Sequence, residues 1–158
     1  MHTDIGLRKH LGSLLGWNDA HVDFDTAVRG IPPRLRGVQP VGLPYSPWQL
    51  VEHLRLAQRD ILDFCRDPHY LAPNWPDDYW PQSAAPPESG AWRQSVTAFR
   101  ADLRALKQLL VDPSMDLNST IPHGQGQTYL REFLLVADHN AFHVGELVVV
   151  RRLLCNWP

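Results

Sequence analysis

The segment Asp138-His139-Asn140-Ala141-Phe142-His143-Val144-Gly145-Glu146-Leu147 sets two histidines four residues apart in an apolar, helix-forming run. On a helix, residues i and i+4 share a face with Cβ atoms about 5–6 Å apart, so two imidazoles so placed can hold one metal ion. Zinc, nickel and similar divalent ions take imidazole nitrogen readily. A third imidazole is available from His53, on the edge of the apolar face formed by Leu50, Leu54 and Ala57. If the two helices are neighbours, His53, His139 and His143 converge inside a bundle, where facing helices commonly build metal sites. Three protein ligands with an open position is the arrangement of a catalytic metal, which lowers the pKa of a water or thiol in that position to give a nucleophile near neutral pH. Several imidazoles in an apolar interior are costly unless something uses their lone pairs, and a divalent cation does so. Taken singly, each histidine reads equally as a hydrogen-bonded core residue.

The neighbours divide by role. A ligating histidine usually donates its other ring N–H to a carboxylate, a carbonyl or water. Glu146, one turn beyond His143 on the same side, is placed to orient a ligand; Asp138 and Glu52 read as helix-surface charge. His123, between Pro122 and Gly124, is a candidate proton carrier if its loop reaches the open end of a bundle, and otherwise an exposed turn residue. Glu146 and His123 are thus the candidate catalytic residues beside the three metal ligands. Trp48, Trp75, Tyr79 and Trp80 either line a pocket mouth or pack as core and loop aromatics. His2, His10, His21 and His69 form no constellation.

These groups must be positioned by helices. Four blocks of helical periodicity are separated by Pro- and Gly-rich connections, which predicts an all-α protein. The first runs from about Asp4 to Val28, with Leu7, Leu11, Leu14, Leu15 and Val22 at helical spacing, and Gly30, Pro32 and Pro33 stop it. Residues 31–45 read as a long ordered loop. The second block has Ser46 as N-cap, Pro47 at N1, Gln49 closing a capping box and Tyr45 with Leu50 as a staple. Its apolar face is Leu50, Leu54, Ala57, Ile61 and Phe64, and Asp67-Pro68 ends it. The connection 68–90 is Pro-rich and aromatic, a length that is often functional. The third block, about Ser89 to Val111, carries Trp92, Val96, Phe99, Leu103, Leu106 and Leu110 on one stripe.

The fourth block runs from the N-cap Thr128 to about Cys155. Glu132, His139, His143, Glu146 and Val150 fall on one side, and Leu130, Leu134, Ala137, Ala141, Val144 and Val148 on the other. A helix apolar on two faces is buried all round. In a four-helix bundle the second face needs another cover, either a second copy approaching over Ala137 and Ala141 or a loop of the same chain. The commonest oligomers are two-fold pairs, which predicts a homodimer.

Length and charge set the class. The chain of 158 residues reads as one domain over 1–158, and its formal charge of −2 with mixed acids and bases excludes a nucleic-acid footprint. The segment Met1 to His10 has no apolar core of a signal peptide, and no run of apolar residues is long enough to predict a membrane span. Cys65 and Cys155 are far apart and form no Cys-x-x-Cys, which points to reduced, buried, inert thiols in the cytoplasm.

With these residues in place, the chain resembles the DinB/YfiT-like superfamily. The likeness is carried by Ser46-Pro47-Trp48-Gln49-Leu50-Val51-Glu52-His53 and by His139-x-x-x-His143-x-Gly145-Glu146, in matching order across nearly the whole chain. Tyr79-Trp80-Pro81 and Gly126-Gln127-Thr128-x-Leu130-Arg131 resemble one branch of it. The resemblance implies a four-helix bundle with one long crossover connection, usually a homodimer. It implies a divalent metal, zinc or nickel most often, on the motif histidines His53, His139 and His143. Relatives of this kind include thiol S-transferases that use low-molecular-weight thiols and a thiol-dependent isomerase. The expected function is therefore a metal-dependent enzyme, transferase-like or hydrolase-like, acting on a small molecule. The rival is a non-catalytic metal- or small-ligand-binding stress-response protein with the same bundle.

Overall fold

The computed structural model describes residues 3–16 and 20–158. Five α-helices follow in chain order: α1 Thr3–Leu14, α2 Phe24–Val28, α3 Pro47–Arg66, α4 Ala91–Val111 and α5 Tyr129–Leu153. The described residues are all-α, with short 3-10 turns at Pro33–Leu35 and Asp77–Tyr79 and an isolated bridge between Thr120 and Thr128.

The single helix expected over Asp4 to Val28 is two helices. α1 gives way to a turn at Leu15 and Gly16, and α2 starts afresh behind Asp23, whose carboxylate accepts from the Thr26 N–H at 2.8 Å. Glycine costs more backbone entropy in a helix than any other ordinary residue, and an aspartate that can cap a new helix is better used there than inside an old one. Positions 17–19 of that expected block lie outside the described residues, as do Met1 and His2.

α3 begins as its sequence requires. Ser46 Oγ accepts from Gln49 N–H at 3.1 Å, and Gln49 Oε1 accepts from Ser46 N–H at 3.1 Å, a reciprocal capping box with Pro47 behind it. The Ser46 hydroxyl also donates to the Ala84 carbonyl, so the 67–90 connection is tied to the first turn of α3. The 31–45 loop closes against the same connection: a Cβ at Gly37 would stand 2.5 Å from the Ala85 Cβ and 2.8 Å from its Cα. Only glycine fits there.

α3 packs on both α4 and α5, and α1 packs on α4 and α5. The apolar core is divided. One cluster holds Leu50, Val51 and Leu54 of α3 with Trp92, Val96 and Phe99 of α4 and Val144, Leu147 and Val150 of α5. The other holds Ile61, Leu62 and Cys65 with Leu106 and Leu110 and with Phe133, Val136 and Ala137. Between them on the three helices lie the polar side chains Gln58, Asp102 and Asn140, all buried. Asn140 Nδ2 donates to Gln58 Oε1 at 2.9 Å, and Gln58 Nε2 donates to the Phe99 carbonyl at 2.7 Å. Asp102 accepts from Arg59 at 2.9 Å. This polar waist is satisfied mainly from within, as a buried amide must be.

α5 departs from its expected burial. Its second face is covered in part within the chain: Ala137 joins the cluster of Leu11 and Leu15 from the α1 end, and Val144 joins that of Phe24, Ala27 and Val28. What stays bare is Leu134 of that face at 46 % and, beside it, Phe142 at 62 %, Val149 at 46 % and Leu153 at 53 % exposure. By length and composition α5 would also pass for a membrane span, but as folded here it is the core helix of a packed set. The helix ends in a Schellman turn, Asn156 N–H to Arg151 O at 2.8 Å and Cys155 N–H to Arg152 O at 3.1 Å, with Cys155 at φ 52°. That turn carries Cys155 outward, so of the two thiols only Cys65 is buried.

Replacing Ser46 by alanine removes the cap and the tie to Ala84. We expect thermal melts to show a loss of about 1 kcal/mol or somewhat more, a drop of about 3 °C in Tm. An unchanged Tm would show that Pro47 and the staple alone start the helix.

Candidate metal centre

α3 and α5 run antiparallel: side-chain partners fall in number along α5 as they rise along α3, His53 with His143 and His139, then Gln58 with Asn140. This pairing brings together the three histidines singled out above. His53 Nε2 lies 3.1 Å from His143 Nε2 and 3.0 Å from His139 Nε2. The three ligand nitrogens lie within 4.8 Å of one another. His53 is 2 % exposed, and the His143 side chain 12 %.

The outer nitrogens fix which way the inner ones face. His53 Nδ1 is 2.8 Å from the Tyr79 carbonyl, which can only accept, so Nδ1 carries the proton and Nε2 is a lone pair. His143 Nδ1 is 2.6 Å from Glu146 Oε2 and donates to that carboxylate, so in the neutral ring its Nε2 is a lone pair as well. Two acceptors then face each other at 3.1 Å, an arrangement that repels unless a cation stands between them. Burial drives the His53 pKa down to about 4, with His143 and His139 adding to the fall against the pull of the Tyr79 carbonyl. Burial likewise takes His139 to about 4, helped by His143. At neutral pH these two rings are neutral and their lone pairs are available. The donor set therefore fits a divalent ion, with His53, His139 and His143 as the residues that would hold it.

The connection before α4 supplies the walls. The Trp80 ring stacks on His53 with centroids 3.8 Å apart and planes 4° from parallel, and Tyr45 stacks on the far side of Trp80 at 4.7 Å. Asp60 anchors this segment: the Tyr79 hydroxyl donates to Oδ2 at 2.7 Å and the Tyr70 hydroxyl to Oδ1 at 2.6 Å. Burial and the Asp60 carboxylate both raise the two phenols, so they stay protonated donors. Asp60 thus holds the Tyr79 carbonyl where His53 needs it. Phe142 meets His143 edge-on at 4.9 Å.

The remaining sequence candidates lie elsewhere. His123 Nε2 donates to the Phe64 carbonyl at 2.9 Å, eleven residues along α3 from His53, or about 16 Å at the helical rise. It is exposed, and it lines a groove of about 480 Å³ with Asp60, Tyr70, Arg131, Glu132 and Leu135. Glu52 is held by Arg55 at 2.6 Å, and Asp138 is exposed. Trp48 is buried and Trp75 is 72 % exposed, so of the four aromatic candidates Tyr79 and Trp80 are the ones at the histidines. Sequence reasoning missed Asp60, Gln58 and Asn140. Gln58 stands four residues from Leu54, and Asn140 four from Val136 and from Val144; a polar residue at a core position was the available signal.

The family model described as the DinB superfamily matches residues 17–147. No curated protein and no solved structure matches the chain.

The folded-state pKa values of about 4 for His53 and His139 lie below the unfolded value near 6.5. Between those values the unfolded chain binds more protons, so acid favours unfolding. Chelator-treated protein should keep full stability above about pH 6.5 and lose it as the pH falls towards about 4, a loss that His53→Ala should shrink in urea titrations at each pH. A stability flat across that window would place the rings in contact with water.

Proposed function

The chain belongs to the DinB superfamily, and from that premise together with the facing imidazole lone pairs we propose a metal-dependent enzyme that activates water or a low-molecular-weight thiol at His53, His139 and His143. A divalent ion there, zinc or nickel, supplies Lewis acidity that makes a water or thiol nucleophilic near neutral pH. The residues of the chain do the rest. His53 and His139 present neutral rings, Glu146 draws on the His143 Nδ1 proton and makes that ring the strongest donor, and Trp80 covers one face of His53. The groove beside Asp60 and Leu135 lies one to two turns from the histidines and is large enough for a small electrophilic substrate. In this reading His123 is a groove residue, available for substrate contact.

We read the helices as a four-helix bundle made by α1, α3, α4 and α5. The packing of α1 on α4 and α5 supports this reading. A cytoplasmic setting suits the unpaired Cys65 and Cys155 and would keep a thiol cosubstrate reduced.

The observation that carries the proposal is the 3.1 Å approach of two Nε2 atoms that are both acceptors. Elemental analysis of tag-free protein is its test. About one zinc or nickel ion per chain is expected in the wild type, with loss of tight binding in His53→Ala. Full occupancy of His53→Ala after a chelator challenge would overturn the three-histidine site.

We further propose a homodimer that covers the bare stripe of Leu134, Phe142, Val149 and Leu153 on α5. Gly145 lies within it with nothing within 4 Å of its would-be Cβ, which leaves room for close helix approach. Light scattering across dilution should show a dimer, and Phe142→Glu should give a monomer with an unchanged helical spectrum. A wild type that is monomeric at all concentrations would end this proposal.

A further inference from the structure

Two of the three histidines have an outer partner within hydrogen-bond distance, the Tyr79 carbonyl for His53 and Glu146 for His143. His139 does not: its Nδ1 is buried with no partner. The next residue is in the same state, for Asn140 Oδ1 is also buried and without a partner. A buried donor and a buried acceptor, each unsatisfied and on adjacent residues, carry a desolvation cost that one hydrogen bond between them removes.

The polar waist decides which way the Asn140 amide faces. The Phe99 carbonyl can only accept, so Gln58 must turn Nε2 towards it, at 2.7 Å. That leaves Gln58 Oε1 towards α5, where it accepts from Asn140 Nδ2 at 2.9 Å. Asn140 therefore has only its oxygen left to offer. The direction of every bond is set by a backbone carbonyl of α4.

We propose that Asn140 and Gln58 are positioning residues for the metal centre: the line Phe99 O, Gln58, Asn140 ends on His139 Nδ1–H, holds the proton on Nδ1 and leaves Nε2 as the third lone pair. The inference rests on the three-histidine reading above. It gives the site three different outer acceptors, a backbone carbonyl on His53, a side-chain amide on His139 and a carboxylate on His143. It also gives the buried Gln58–Asn140 pair a use that core packing does not require.

The test uses zinc-loaded full-length protein and two readouts. In competition titrations against a chromophoric chelator, Asn140→Ala and Gln58→Leu should still take one zinc per chain, bound about 10- to 100-fold more weakly, the usual effect of losing an outer partner. In ¹H–¹⁵N spectra of the imidazoles, Asn140→Ala should shift the His139 Nδ1–H signal and speed its exchange with water while those of His53 and His143 stay put. A variant that merely loosened the core would move all three. The wild type also decides alone, should the buried variants not fold: its His139 Nδ1–H should exchange slowly, and exchange at the rate of an exposed imidazole overturns the inference. Wild-type affinity with an unmoved His139 signal in Asn140→Ala overturns it too, and leaves the metal site standing. A wild type that takes up no zinc instead overturns the three-histidine reading.

Discussion

The constraint on which the rest depends is a repulsion. Two imidazole rings that each donate an Nδ1–H to an outward partner set their Nε2 atoms against each other across 3.1 Å. Neutral rings at that separation gain nothing from each other, and each has lost its water. The protein nonetheless holds them there with a carbonyl, a carboxylate and a stacked indole. A fold that spends stability on pointing lone pairs at one another gains it back when a cation joins them, since a ligand that binds only the folded state stabilises that state.

The surrounding architecture is ordered by that point. The antiparallel run of α3 against α5 sets one histidine opposite two, and the connection 67–90 is drawn across them from two directions. Asp60 holds the phenol of Tyr79 from the middle of α3, while Ser46 holds the Ala84 carbonyl at its start. Between those anchors the chain has little freedom, and Trp80 lands on His53 with Tyr45 behind it. Gly37 lets the 31–45 loop press on the same segment. Both long connections thus serve as walls and braces for the centre, and their prolines limit the entropy lost in ordering them.

Much of this was legible in the sequence because the signals were local. The capping box at Ser46, the stop at Asp67-Pro68, the stripe through Phe99 and the i, i+4 pair His139 and His143 each depend on residues a few positions apart. His53 was legible only beside the His139 and His143 pair, since a single histidine on an apolar face also reads as a hydrogen-bonded core residue. The break between α1 and α2 was not: Leu14, Leu15 and Val22 keep the helical period across it, while the choice of Asp23 as a cap depends on what α2 can pack against. The packing of the α1 and α2 segments on Ala137 and Val144 of α5 was hidden for the same reason, since those contacts form only in three dimensions. Asp60 was invisible because its partners Tyr70 and Tyr79 sit in a Pro-rich connection without periodicity.

The charges around the centre narrow its chemistry. The neutral rings of His53 and His139 contribute no charge, and of the nearby carboxylates only Glu146 bonds to one of the three histidines, through the outer nitrogen of His143. Glu52 is neutralised by Arg55 on its own helix, and Asp138 is exposed to solvent. A loaded site of this composition keeps net positive charge at its open side, where partial burial weakens screening. Under the proposed function, such a charge would favour the deprotonated form of a water or thiol over the parent acid. A purely structural metal site would close with a fourth protein ligand, usually a thiolate. Cys65, the one buried thiol, packs in the second apolar cluster three turns along α3 from His53, its pKa pushed up to about 12 by burial and by the nearby Glu132. Held protonated and at that distance, it stands apart from the three histidines as a possible ligand.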